Sequence, residues 1–325
     1  MNESRSADNL TVKQTPLRRI PVQSISLAIV VTVLLYAGMV TLADWGVFGT
    51  AVSTLPSVLW VQMVALSLLS YLLRFARWHH FTLALGHEVP VLRNLEIYLA
   101  AFALTLTPGK AGEAIRSVYL RPYGVSYSHS IGVFISERLL DLVAVGALAS
   151  LATSIFPEQQ PWMLTAIAFI IIIVLLLRSR LLALIGKRLA KSSTAGHATK
   201  VIATIHFLLS ERRLAMATPL SFMAWMAQGV SLYLLVHTLG YELPANTIIA
   251  IYCLSILAGA VSFIPGGLGA TEAAIVLLLS AAGVGQTDAI MASLISRSLT
   301  LWLAVGIGSV SMAKTAFANQ SARSP

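Results

Sequence analysis

The chain has 325 residues, 57% of them hydrophobic and only 11% charged, with a formal net charge of +9 and a mean hydropathy of +0.81. Soluble domains carry roughly 25% charged residues, so this composition excludes a soluble globular protein, a disordered chain, a collagen and a coiled coil. What remains is an all-α integral membrane protein, because the apolar stretches run about 18–25 residues where barrel strands would alternate over about 10.

In chain order, Ser24–Ala43 is the first apolar run. It is too long for a signal-peptide core and lacks a small-residue cleavage site, so it reads as a retained span. Leu55–Leu73, Ser128–Ile155, Trp162–Leu177, Leu214–Leu239 and Thr287–Met312 are also long enough to cross. Two further apolar segments are interrupted: Asn94–Pro122 at Thr107-Pro108-Gly109, and Ala245–Gly283 at Ile264-Pro265-Gly266-Gly267. Proline removes a helical hydrogen bond and glycine weakens the adjacent turn. Each half is then about 12 residues, or roughly 18 Å at 1.5 Å rise, enough to reach the bilayer midplane and return. Pro108, Gly109, Pro265 and Gly266 thus mark the breaks of two re-entrant hairpins.

Charge separates hairpins from kinked full spans. With both termini cytoplasmic and both broken segments re-entrant, every Lys and Arg falls on the cytoplasmic side except Arg138 and Arg297, which lie within spans. Arg74, Arg77 and Arg93 then occupy one inside loop, and Arg178–Arg213 forms another. Were the first broken segment to cross, that second, strongly basic loop would face outward, against the positive-inside bias. The loop also spaces Val201, Ile202, Ile205, Leu208 and Leu209 near-helically, as in a helix lying on anionic lipid; a solvated connector is the alternative. Trp45, Trp60, Trp78, Trp162 and Tyr241 flank spans and read as interface anchors.

An internal repeat accompanies this layout. Pro108-Gly-Lys-Ala-Gly112 matches Pro265-Gly-Gly-Leu-Gly269, and 25 residues separate both Glu113 from Arg138 and Glu272 from Arg297. The unit is span, span, hairpin, span. An odd number of crossings inverts the second copy, an arrangement that sets a transporter's site at the midplane. The expected organisation is a tail (1–23), a first repeat (24–155, hairpin 94–122), a second repeat (156–313, hairpin 245–283, basic cytoplasmic loop 178–213) and a tail (314–325).

At Thr107-Pro-Gly-Lys-Ala-Gly-Glu-Ala-Ile-Arg116, Ser136-Glu-Arg-Leu-Leu-Asp141 and Phe263-Ile-Pro-Gly-Gly-Leu-Gly-Ala-Thr-Glu-Ala273 the sequence resembles the flippase-type transmembrane region of lysylphosphatidylglycerol synthases and their stand-alone relatives. The likeness runs from about Ser24 to Met312. It implies movement of a polar-headed lipid across the cytoplasmic membrane of a bacterium or archaeon. With the chain ending at Pro325, the soluble aminoacyl-transfer domain of the synthases is expected to be absent. The resemblance leaves the lipid open among aminoacyl lipids, glycolipids, polyprenyl carriers and hopanoid-linked species.

The candidate substrate-binding residues follow from the breaks and the intramembrane charges. Each Pro-Gly break starts a half-helix whose free N–H groups near Lys110–Gly112 and Gly269–Thr271 would meet an anion, with Gly112, Gly267 and Gly269 permitting close approach. Packing glycines at a sharp turn are the simpler explanation. Glu113, Glu137, Asp141 and Glu272 stand against Arg116, Arg138 and Arg297, and Lys110 completes the balance. Glu113–Arg116 and Arg138–Asp141 are i, i+3 pairs able to bridge. These charges are either structural ties or pairs that exchange partners when an anionic headgroup enters. Glu137 and Asp141 face Ser296 and Thr300 in the other copy, which offers an acidic side to a cationic moiety. His129 and His237 show no partner, the lone Cys253 excludes a disulfide, and no metal-ligand, nucleotide-binding or hydrolase motif occurs.

The expectation is therefore a non-enzymatic lipid transporter of about six spans and two re-entrant hairpins, needing no cofactor or metal and no nucleic acid. Its substrate is a membrane lipid with an anionic, aminoacylated or glycosylated head. Protons or membrane potential are candidate couplings, and a homodimer or a lipid-synthesis enzyme is the candidate partner. A secondary transporter of a small soluble anion, or an accessory subunit of a lipid-modifying complex, are the alternatives.

Overall fold

The computed structural model describes residues 53–151 and 193–321, with isolated positions 49, 165, 168, 172, 175 and 176. The expected Ser24–Ala43 span, most of Trp162–Leu177, and Trp45 and Trp162 lie outside the described residues. Among those described, every regular element is helical.

Helix α1, Ser57–Ala84, starts after Pro56, which cannot donate to a preceding turn, and ends at Gly86, where φ is +78°. Its 28 residues carry it eleven beyond the hydropathic end at Leu73, and both Arg74 and Arg77 are buried on it. Arg74 and Arg77, expected in a loop, are therefore helical: the helix continues because the polar residues have partners inside the protein. Along α1 lies α5, Glu211–Thr238. These two, with the continuous stretch Gln286–Thr315, are the described helices long and apolar enough to cross a membrane. Helix α3, Tyr127–Ala149, has 23 residues, but Glu137, Arg138 and Asp141 lower its hydropathy. Its first turn is capped by Ser126 Oγ, which accepts from His129 N at 3.2 Å.

The first interrupted segment folds as α2, Val91–Ala100, then a 3₁₀ turn at Ala101–Leu104, and returns through a second 3₁₀ stretch, Pro108–Ile115, and a single α turn, Arg116–Tyr119. The two 3₁₀ pieces pack together, so the chain does double back. The expected second half-helix of about 12 residues is absent here, because Pro108, Gly109 and Gly112 weaken α-helical propagation over the same few residues. The second interrupted segment is regular: α6, Ala245–Val261, packs against α7, Ala270–Ala281. Its tip turns through left-handed backbone at Phe263 (φ +54°), Gly266 (+64°), Gly267 (+67°) and Gly269 (+80°). The tips of the two doublings meet where Leu106, Leu268 and Leu301 form a small cluster.

Helix α8, Gln286–Arg297, passes through a π turn at Ser298–Trp302 into α9, Leu303–Ser321. The latter lies on α2, with Gly308 so close to Ala103 and Phe102 backbone that a Cβ has no room. In the basic loop, α4, Ser193–Leu208, lays its apolar residues on α3 rather than on lipid: Ile205, Leu208 and Leu209 are buried, and a Cβ at Gly132 would come within 2.6 Å of Thr204.

Candidate functional site

The helices enclose a network of ionised side chains. Arg77, on α1, reaches Asp141 at 2.8 Å and Glu137 at 3.4 Å, and also donates to Ser221 Oγ of α5. Arg116 bridges Glu113 at 3.1 Å and Glu137 at 3.0 Å, its guanidinium lying over the rings of Tyr98 (4.1 Å) and Trp78 (4.8 Å). Arg138 reaches Asp141 at 3.1 Å and Glu113 at 3.9 Å. The Glu113–Arg116 and Arg138–Asp141 pairs expected from i, i+3 spacing both form. Trp78, expected at the membrane interface, is fully buried because it supports Arg116. A lone charge at membrane depth costs about 2.5–3.5 kcal/mol, and mutual pairing offsets that cost.

In the second half, Arg297 Nε donates to Glu272 Oε1 at 2.8 Å and Nη2 to the Gly266 carbonyl at 2.7 Å, tying α8 to the hairpin tip. The matched 25-residue spacings thus end in matched Glu–Arg contacts, 3.9 Å in one half and 2.8 Å in the other. The π turn beginning one residue after Arg297 frees backbone carbonyls, and Tyr71 OH donates to Thr300 O at 2.8 Å.

Between the two hairpins lies a cavity of about 290 Å³. Its lining carries Arg74, Glu113, Arg138, Asp141, Gln228 and Arg297 together with the apolar Leu142, Val145, Ile256, Leu257, Phe263 and Ile264. Phe263 is 76% exposed, held there at the hairpin tip. Of the candidate substrate-binding residues, Glu113, Arg138, Asp141, Gly267 and Arg297 border the cavity, as does Gly266 at the second break. Arg116, Glu137 and Glu272 are buried behind it as partners of other charges. Gly112 and Gly269 do not border it, and the side chain of Lys110 lies outside the description.

Three expectations are corrected here. The Gly112 N–H is taken by Thr107 Oγ1 at 2.6 Å, and a Cβ at Gly112 would come within 2.6 Å of Leu104 Cβ, so this is a packing glycine and not an anion cradle. Glu137 and Asp141 do not offer a spare acidic side: arginines hold both, and Trp225 Nε1 adds a bond to Asp141 at 3.1 Å. His129, expected without a partner, meets His87 Nε2 at 2.8 Å. Arg74, Arg77, Gln228 and Trp225 belong to the site without a local motif to announce them. Their only sequence signal is the i, i+3 spacing of Arg74 and Arg77 in register with buried Tyr71 and Trp78.

Residues 23–308 match the model of a family described as the lysylphosphatidylglycerol synthase TM region. The chain is 22% identical over 314 residues to a UPF0104 membrane protein of Methanothermobacter thermautotrophicus, covering 87% of this chain and 93% of the relative. It is 23% identical over 292 residues to a UPF0104 membrane protein of Pyrococcus horikoshii, covering 78% and 87%. A shorter stretch of 80 residues is 35% identical to the phosphatidylglycerol lysyltransferase of Staphylococcus haemolyticus, covering 25% of this chain and 10% of that enzyme.

Proposed function

The chain belongs to the family of the lysylphosphatidylglycerol synthase transmembrane region, and from that premise we propose that this multi-pass membrane protein moves a polar-headed lipid between leaflets. The observation that carries this reading is the cavity between the hairpin tips, whose lining combines buried charges with aliphatic and aromatic residues. Such a mixed lining suits a molecule with a polar head and acyl chains. The headgroup enters beside Arg138, Asp141 and Arg297 while the chains stay along Ile256, Leu257 and Phe263. The re-entrant, inverted-repeat arrangement with both termini in the cytoplasm belongs to the same proposal. The Glu–Arg contacts at equal spacing and the meeting of the tips support it.

Arg77, Arg116 and Glu137 act differently in this scheme: they hold α1, the first hairpin and α3 together, so that the cavity-facing charges stay fixed as a headgroup passes. The test is reconstitution of the full chain into liposomes carrying a headgroup-labelled phosphatidylglycerol, with leaflet exchange followed by dithionite quenching. Exchange at least tenfold faster than in empty vesicles is expected. Exchange equal to that of empty vesicles, with the protein shown to be folded and inserted, overturns the proposal.

A further inference from the structure

The described charges of the site do not sum to zero. Arg74, Arg77, Arg116, Arg138 and Arg297 face Glu113, Glu137, Asp141 and Glu272. Each of the last four arginines lies within 4.0 Å of a carboxylate, and each carboxylate has an arginine. Arg74 has no carboxylate within that distance among the described residues, although it is only 6% exposed. Its support is neutral: the guanidinium lies 4.0 Å over the Trp225 ring, and Nη2 donates to Gln228 Oε1 at 3.3 Å. A cation over a ring keeps its charge, and an amide oxygen accepts a bond without neutralising it. Its Nε has no hydrogen-bond partner at all, and the side chain borders the cavity.

Gln228 adds to the same corner. Its Oε1 already accepts from both Arg74 and Tyr252 OH (2.9 Å), which leaves Nε2 as a further donor on a residue lining the cavity. A buried cation with no described carboxylate in direct contact, beside an amide donor, is the complement of an anionic oxygen. An ammonium group finds less, since each described carboxylate at the cavity already lies within 4.0 Å of an arginine.

We propose that Arg74 seats the single negative charge of the ligand, a phosphate-type anion, and that the cavity prefers anionic phospholipids over aminoacylated, cationic ones. This rests on the cavity holding a lipid head, as proposed above. The anion's oxygens meet the Arg74 guanidinium and Gln228, and the chains leave along Ile256, Leu257 and Phe263. Arg138 and Arg297, already engaged with carboxylates, line the path without supplying the unmatched charge.

The experiment is calorimetric titration of the detergent-purified full chain with dihexanoyl-phosphatidylglycerol, its lysyl ester, dihexanoyl-phosphatidylcholine and inorganic phosphate, each against wild type, Arg74→Gln and Arg74→Lys. Wild type is expected to bind the anionic lipid at least tenfold more tightly than the zwitterionic or lysylated one. Arg74→Gln is expected to lose that preference, and Arg74→Lys to keep part of it. Arg74→Gln removes an unmatched charge, so its melting temperature without ligand should equal or exceed that of wild type; a fall of several degrees would mean that Arg74 is a structural tie and would refute the assignment. Equal affinities for all three lipids in wild type would overturn the charge preference while leaving the lipid reading intact. Arg74-dependent phosphate binding with no lipid binding would keep the anion site and overturn the lipid reading. Absence of binding by all four would overturn both.

Discussion

Arg77→Gln is the sharpest perturbation of the network. Arg77 is fully buried and contacts Asp141 at 2.8 Å, Glu137 at 3.4 Å and Ser221 Oγ. Removing one partner of a buried ion pair costs about 3–5 kcal/mol, because the remaining charge stays desolvated. Here both acids keep a second cation: Asp141 keeps Arg138 at 3.1 Å and Glu137 keeps Arg116 at 3.0 Å. The cost therefore falls at the lower end, about 3 kcal/mol, or roughly 150-fold in the unfolding equilibrium. Removing a positive charge also brings the described set of five arginines and four acids to neutrality, but Coulomb energy falls with distance, so the lost close contacts outweigh the improved sum. The assay is reversible unfolding in mixed detergent and dodecyl sulfate micelles, followed by far-ultraviolet circular dichroism. Asp141→Asn combined with Arg77→Gln should cost at least about 1 kcal/mol less than the sum of the single changes. A loss below about 1 kcal/mol for Arg77→Gln, or strict additivity in the double variant, would refute the argument.

Three further outcomes are expected. Gly308→Ala should destabilise by about 1–3 kcal/mol, since the new methyl meets the backbone of Ala103 and Phe102; the same micelle unfolding measures it, and an unchanged midpoint would show that α9 can shift freely. Glu272→Gln should release Arg297 from its 2.8 Å contact and loosen the hairpin tip, seen as faster amide exchange over 262–272, while Gly86 and its neighbours stay unchanged. The loop between α1 and α2 should weaken in acid: partial burial, and then the adjacent His129, push the His87 imidazole below its ordinary value. The fold thus favours neutral His87, so the contact is intact above the ordinary imidazole range and is lost as pH falls through the lowered value. Expressed relative to the intrinsic, base-catalysed rate at each pH, amide exchange of residues 85–89 should rise from pH 7.5 to pH 5 in wild type and stay flat in His87→Gln.

The membrane class, the two interruptions and the Glu–Arg spacing are legible in the chain itself, because each is a local property. Hydropathy sums over a window, Pro108 and Pro265 remove hydrogen bonds where they stand, and i, i+3 geometry pairs Glu113 with Arg116 and Arg138 with Asp141. That locality also sets the limit. The same hydropathy ends the second apolar run at Leu73, since a window cannot tell that Arg77 will find Asp141 sixty-four residues later, or that Trp225 will lie under Arg74. Likewise a glycine beside a proline reads equally as an anion cradle or a packing contact; at Gly112 the decision rests with Thr107 Oγ1 and Leu104.

Sequence alone thus determined the helical membrane architecture, the doubling of the chain at its Pro-Gly breaks and most of the ionisable residues. Tertiary structure decided which charges are matched and which is not. An acid's availability depends on every cation the fold brings within a few ångströms, and those come from α1, α3 and the first hairpin together. Glu137, which has no partner at i, i+3 or i, i+4, is held by Arg77 and Arg116, and Arg74, which looks like a loop residue, is a buried cation with no described carboxylate within 4.0 Å.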